Sequence, residues 1–187
     1  MKNVFVFAPL IFAGEFLKLQ SIEKVALAAL IFCVASSATY ILNDLTDIER
    51  DRRHPKKSKS RPLASGLVSV TQAITLLLIL YVALLAAWFV IPAVVYDVLG
   101  YLLLNLAYTF VLKHQPVIDI FTIAIGFVLR VYAGAMALSV PVSSWMFVTT
   151  LCLALYLAAV KRGQELASNG SDSREVLQHY TPALIDR

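Results

Sequence analysis

Residues 23–66 read EKVALAALIFCVASSATYILNDLTDIERDRRHPKKSKSRPLASG. From Val25 to Leu42 no side chain is charged, and a run of roughly 20 such residues is enough to cross hydrocarbon as a helix. Asn43, Asp44, Asp47 and Asp51 follow at once. Then Arg50, Arg52, Arg53, Lys56, Lys57, Lys59 and Arg61 crowd a stretch that Pro55, Pro62 and Gly66 keep from being one continuous helix. An apolar span that ends in acids and then in bases places a charged site at a membrane boundary.

The rest of the chain is written for the same solvent. Of 187 residues 59% are apolar and 15% charged, outside the range of a soluble domain. Candidate spans lie at 4–19, 23–43, 67–93, 96–112, 116–138 and 143–160. They must be helices, because backbone groups in lipid have no water to pair with and no segment alternates like a barrel strand. The predicted fold is therefore all-α, a polytopic membrane helix bundle. Basic residues collect in alternate loops, at 50–61, at Lys113 and at Lys161/Arg162, which the positive-inside rule assigns to the cytoplasm together with Lys2. The net charge of +4 is thus a topology signal and implies no nucleic-acid partner. Trp88 and Trp145 fall at the outer interface. Cys33 and Cys152 are isolated in apolar helices, with neither disulfide nor metal-ligand spacing, and read as small packing residues. Thr181-Pro182 is a helix start, so a further element is expected beyond Arg187, and the near absence of a polar lead before the first span suggests a longer parent at that end too.

The carboxylates at 44, 47 and 51 have helical spacing and share one predicted face, which continues into the membrane as Tyr40, Ser37 and Cys33. Crowded carboxylates repel one another and raise each other's pKa unless a cation neutralises them. Hard oxygen ligands favour Mg2+, which keeps some waters and shares positions with phosphates, so Asn43, Asp44, Asp47 and Asp51 form a candidate metal set. The adjacent cations Arg52, Lys59 and Arg61 suit phosphate, and together the two groups indicate a diphosphate ester as ligand.

A second stripe crosses the fifth span. Asp119, Thr122, Gly126, Arg130 and Gly134 are spaced by three or four residues, which puts small and polar groups on one face of an apolar helix. Arg130 lies roughly 16 Å beyond Asp119 along the axis, a depth at which an arginine marks a functional site or bonds to backbone carbonyls. At the inner ends of the fourth and sixth spans Tyr108, Lys113, Lys161, Arg162 and Glu165 face the same boundary as the aspartates. Lys161 and Glu165 are also one turn apart and suited to pair with each other.

NDLTDIERDRRHPKKSKSRPLASG resembles the first aspartate-rich motif, NDxxDxxxD with a basic stretch and RPxxSG, of the UbiA superfamily of intramembrane prenyltransferases. That resemblance implies nine helices around a central cavity, of which about six are in this sequence as one UbiA-like domain over 1–187. The superfamily's second aspartate cluster is replaced here by KRGQEL at 161–166. This replacement, with KNVFVFAPLIFAGE at 2–15, VLKHQPVIDIF at 111–121 and GFVLRVYAGA at 126–135, is similar to the branch of decaprenyl-phosphate phosphoribosyltransferases. The resemblance implies transfer of 5-phosphoribose from phosphoribosyl diphosphate to a polyprenyl phosphate for cell-wall or polysaccharide precursors. It implies Mg2+ on Asp44 and Asp47, with Asn43 or Asp51, and Asp44, Asp47 and Asp51 as catalytic residues. It also implies a multi-pass cell-membrane enzyme whose site faces the cytoplasm. A basic second motif suits a soluble substrate with an additional 5-phosphate, which an acidic cluster would repel. Two other readings stand beside this one: prenyl transfer to an aromatic acceptor, and a transporter or channel with a charged path through Asp119 and Arg130.

Overall fold

The computed structural model describes residues 2–55, 57–112, 115 and 117–169, with side chains as far as Gln164. Helix accounts for nearly all of it. A 3-10 segment, Lys2–Phe7, runs into α1, Ala8–Phe12, and is followed by α2, Leu19–Thr46. Three short helices form the basic loop: α3, Ile48–Arg53; α4, Lys57–Ser60; and α5, Pro62–Ser65. Then come α6, Val70–Ala87; α7, Pro92–Phe110; α8, Ile118–Leu138; and α9, Ser144–Asn169. Among the described residues five helices, α2 and α6 to α9, are long and apolar enough to cross a membrane.

The first expected span is a correction. The apolar run at 4–19 does not make one spanning helix: helical structure covers only Lys2–Phe12, after which Gly14 takes a positive φ and the chain turns. Pro9 lies at the start of α1, and the glycine turn follows within a few residues, so the expected helix through residue 19 ends at Phe12. The segment lies instead in a groove on α8. A Cβ on Gly134 would stand 1.9 Å from the carbonyl oxygen of Val6, so backbone approaches backbone there in a way only glycine permits.

α2 and α8 are the most enclosed spans, and the core lies between them and α7: Val25, Ala28, Phe32 and Ala35 of α2, Val98 and Tyr101 of α7, Ala133 and Ala137 of α8, with Val6 and Leu10 wedged in. The alanines let these axes come close. α6 and α9 are peripheral. The loop that leads to α6 is set by local chemistry. Pro62 opens α5, Gly66 closes it in the left-handed region, and Ser69 and Gln72 form a reciprocal capping box at the head of α6. That loop folds back toward the end of α2.

Two further expectations are corrected. On α2 the side chains of Cys33, Ser37 and Tyr40 are accessible, Tyr40 as part of a cavity wall and Cys33 beside Asn3, while the fully buried face runs through Phe32, Ala35, Ser36 and Thr39. Cys33 and Cys152 are accordingly exposed and are not core packing residues. Nor do Asp44, Asp47 and Asp51 lie on one unbroken helix. The helix breaks at Asp47, which closes α2 and opens α3, although the backbone bond from Asp51 N to Asp47 O, 2.8 Å, carries the register across.

Candidate active site

The folded-back loop delivers Arg61 to the acidic arm. Its guanidinium bonds to Asp44 through Nη1 and stands 3.7 Å from Asp51 through Nε, while Lys57 Nζ lies 3.5 Å from the other Asp51 oxygen. Asp51 is almost wholly buried. Two carboxylates, seven positions apart and therefore two turns along the same side, thus converge on one cation. Asn43 lies a position before Asp44, and its Oδ1 is buried without a partner among the described residues. No group of three acidic, histidine or cysteine side chains among the described residues forms a closed metal cage. Two carboxylates already gathered around a positive charge, beside an orphaned amide oxygen, nevertheless fit an ion that keeps waters and shares its positions with phosphate. Asp47 is half-buried at the helix break.

Below this arm opens a cavity of about 300 Å³. α2 contributes Thr39, Tyr40 and Asn43; α7 contributes Tyr101, Asn105, Tyr108 and Thr109; α8 contributes Thr122, Ile123, Gly126, Phe127 and Arg130; and α9 contributes Lys161 and Arg162. Arg61 and Lys2 complete the wall. Of the residues predicted from the sequence, the cavity thus brings together Asn43, Arg61, Tyr108, Arg130, Lys161 and Arg162. Arg52 and Lys59 do not line it: Arg52 lies 3.6 Å from Glu49 on the exposed side of α3, and Lys59 is exposed on α4. Lys113 and the Glu165 side chain lie outside the described residues.

Arg130 and Arg162 are both buried, but their charges are handled differently. Arg162 Nε donates to Asp119 Oδ2 at 2.7 Å, and Asp119 is fully buried behind it, off the cavity wall. Arg130 donates to Asn3 Oδ1 at 2.8 Å through Nε, to the Gly126 carbonyl through Nη1 and to the Tyr101 hydroxyl at 3.1 Å through Nη2. The rings of Phe32, Tyr101 and Phe127 surround it with centroids 4.9 to 5.6 Å from Cζ. Its partners are neutral.

Sequence reasoning misses Lys2, Asn3, Tyr101 and Asn105. Asn3 is the most connected of them, for it also accepts from Ser36 Oγ at 3.3 Å and donates to Cys33 Sγ at 3.1 Å. Its contacts are 30 to 127 positions away in sequence, so no local spacing marks it. Tyr101 and Asn105 are one turn apart on the core side of α7, a signal that the pattern search applied to α8 would have found.

Residues 4–174 match the model of the UbiA prenyltransferase family. The chain is similar to the decaprenyl-phosphate phosphoribosyltransferase of Mycobacterium tuberculosis, with 37% identity over 99% of this chain and 64% of the relative. The enzymes of the same name from Mycolicibacterium smegmatis and Corynebacterium glutamicum are each 36% identical over 99% of this chain, covering 60% and 58% of their own lengths. The chain therefore spans less than two thirds of these relatives.

Proposed function

The chain belongs to the UbiA prenyltransferase family, and from that premise we propose that it transfers 5-phosphoribose from phosphoribosyl diphosphate to a polyprenyl phosphate such as decaprenyl phosphate. The reaction takes place at the cytoplasmic face of the cell membrane and supplies cell-wall or polysaccharide precursors. The observation that carries the reading is the cavity itself. Paired carboxylates and an orphaned amide oxygen stand at one end, while its walls carry Arg61, Lys161, Arg162, Arg130 and Lys2 in place of a second acidic cluster. Such a balance suits a substrate with a diphosphate and a further phosphate better than a prenyl diphosphate with a single anionic end. The names of the relatives support the same substrates.

Asp44 and Asp51, with Asn43 Oδ1 and Asp47 beside them, would hold magnesium, which when bound supplies charge neutralisation for the diphosphate. Arg61 would exchange its bonds to the carboxylates for bonds to the incoming phosphates. Lys161 and Lys2 hold negative charge at the cavity wall. The bond between ribose carbon 1 and the diphosphate oxygen breaks, diphosphate leaves with the electron pair, and an oxygen of the lipid phosphate forms the new bond to carbon 1. That oxygen is already anionic, so no side chain need remove a proton. Tyr40 of α2 and Tyr101 and Tyr108 of α7 would flank the positively charged sugar centre from two sides of the cavity.

The test is direct. Purified protein, given labelled phosphoribosyl diphosphate, magnesium and polyprenyl phosphate, should label the lipid, and Asp44→Ala should abolish this at any magnesium concentration. Full transfer by the variant at saturating magnesium would refute the assignment. Labelling of an aromatic acceptor from a prenyl diphosphate instead would identify the protein as a prenyl transferase.

A further inference from the structure

Arg130 is 4% exposed and carries a permanent charge, yet among the described residues no carboxylate pairs with it. Arg162, equally buried, has Asp119. A guanidinium in a low-dielectric interior is costly without a counter-anion, and neutral hydrogen bonds and ring faces offset only part of that cost. Three of its five N–H groups have partners: Asn3, the Gly126 carbonyl and Tyr101. Arg130 also forms part of the cavity wall. The arrangement is a preorganised fork, fixed on one side and lacking an anion on the other.

We propose that this inner end of the cavity is a subsite for a phosphate monoester, bound by Arg130, with Asn3 as the residue that positions the guanidinium. Asn3 is suited to that task because its amide oxygen orients Nε without neutralising the charge; an aspartate at the same place would fill the subsite from within. The 3-10 segment is anchored on Gly134, which fixes Asn3 at the depth of Ser36 and Cys33. The identity of the monoester rests on the phosphoribosyl-transfer reading. The sugar 5-phosphate of one substrate and the head of the polyprenyl phosphate carry the same chemistry.

The experiment uses the purified chain in detergent with magnesium removed by chelation, so that binding does not depend on the acidic arm. Ribose 5-phosphate and polyprenyl monophosphate are titrated separately, with thermal stabilisation as the readout. The wild type should be stabilised by at least one of them. Asn3→Asp gives Arg130 an internal counter-anion; it should hold or raise the unliganded melting temperature while weakening that monoester roughly ten- to hundredfold. Binding of inorganic diphosphate with magnesium should be unchanged. Loss confined to ribose 5-phosphate assigns the subsite to the sugar substrate, and loss confined to the polyprenyl phosphate assigns it to the lipid. A purely structural Arg130 would leave both affinities intact in a well-folded Asn3→Asp protein, and that result, or a wild type indifferent to both monoesters, overturns the proposal. Should Asn3→Asp fail to fold, Arg130→Lys decides by the same titration, with unchanged affinity overturning it. Failure of phosphoribosyl transfer with monoester binding intact would sink the function and leave the subsite standing.

Discussion

Arg162 and Asp119 hold each other out of water, with Nε to Oδ2 at 2.7 Å and side-chain exposures of 2% and 0%. They join the first turn of α8 to α9 about two turns before its end, and so fix the wall from which Lys161 reaches the cavity. Breaking a buried pair from one side strands a charge, at a cost of about 3–5 kcal/mol, whereas removing both partners costs far less. Asp119→Ala should therefore lower the unfolding temperature in detergent more than Asp119→Ala combined with Arg162→Met. A single variant as stable as the double would show that the pair does not anchor α9.

This pair also shows where sequence reading stops. Asp119 can be identified as a site residue from the polar stripe of its helix and Arg162 from its place at the end of an apolar span, but their bond joins positions 43 apart and follows from the crossing of two helices, which no period encodes. The spans are legible because lipid admits only helices, and the aspartates, the basic loop and the Arg130 stripe because charge is rare there. Lys2–Phe12 misleads for the same reason, since apolar character counts residues and does not foresee a turn at Gly14. Asn3 is invisible for another: a single asparagine in an apolar run acquires meaning only when Arg130 arrives beside it.

Gly134→Ala tests how the N-terminal segment is seated. The obstructing atom is the backbone oxygen of Val6, which cannot swing aside like a side-chain end, so the segment must lift from α8. Overpacking of this kind costs about 1–3 kcal/mol. The variant should unfold earlier on heating, and an alkylating reagent should reach Cys33 faster once Asn3 is displaced from its sulfur. Unchanged melting and unchanged alkylation would mean that the close approach does not hold in solution.

Glu15 offers a pH test away from the cavity. Its carboxylate accepts from Lys18 Nζ and from Ser21 Oγ, each at 2.8 Å, and the Lys18 bond foremost, then the Ser21 bond, holds its pKa below the ordinary glutamate value. A carboxylate whose folded pKa is depressed stabilises the fold at pH values above its unfolded pKa, and that contribution fades as pH falls through the folded value. Glu15→Gln should therefore melt slightly below the wild type near pH 7, with the two curves converging in acid as pH falls through the lowered folded value. A gap that persisted in acid would assign the effect to packing instead.

Arg61 occupies the ground that the proposed function gives to magnesium and diphosphate. While its guanidinium binds Asp44 and neighbours Asp51, the carboxylates are partly neutralised, and an incoming divalent ion must compete with it. Removing it has opposite consequences for the two ligands. Arg61→Ala should leave magnesium affinity in the absence of substrate equal or higher, because the carboxylates lose their internal cation. The same change should weaken phosphoribosyl diphosphate by roughly ten- to hundredfold, because the released guanidinium is no longer there to grip phosphate. Calorimetric titration of each ligand separates the two effects. If both affinities fell together, Arg61 would be a scaffold of the loop rather than an exchangeable counter-ion, and the carboxylates would need it in order to form the site at all.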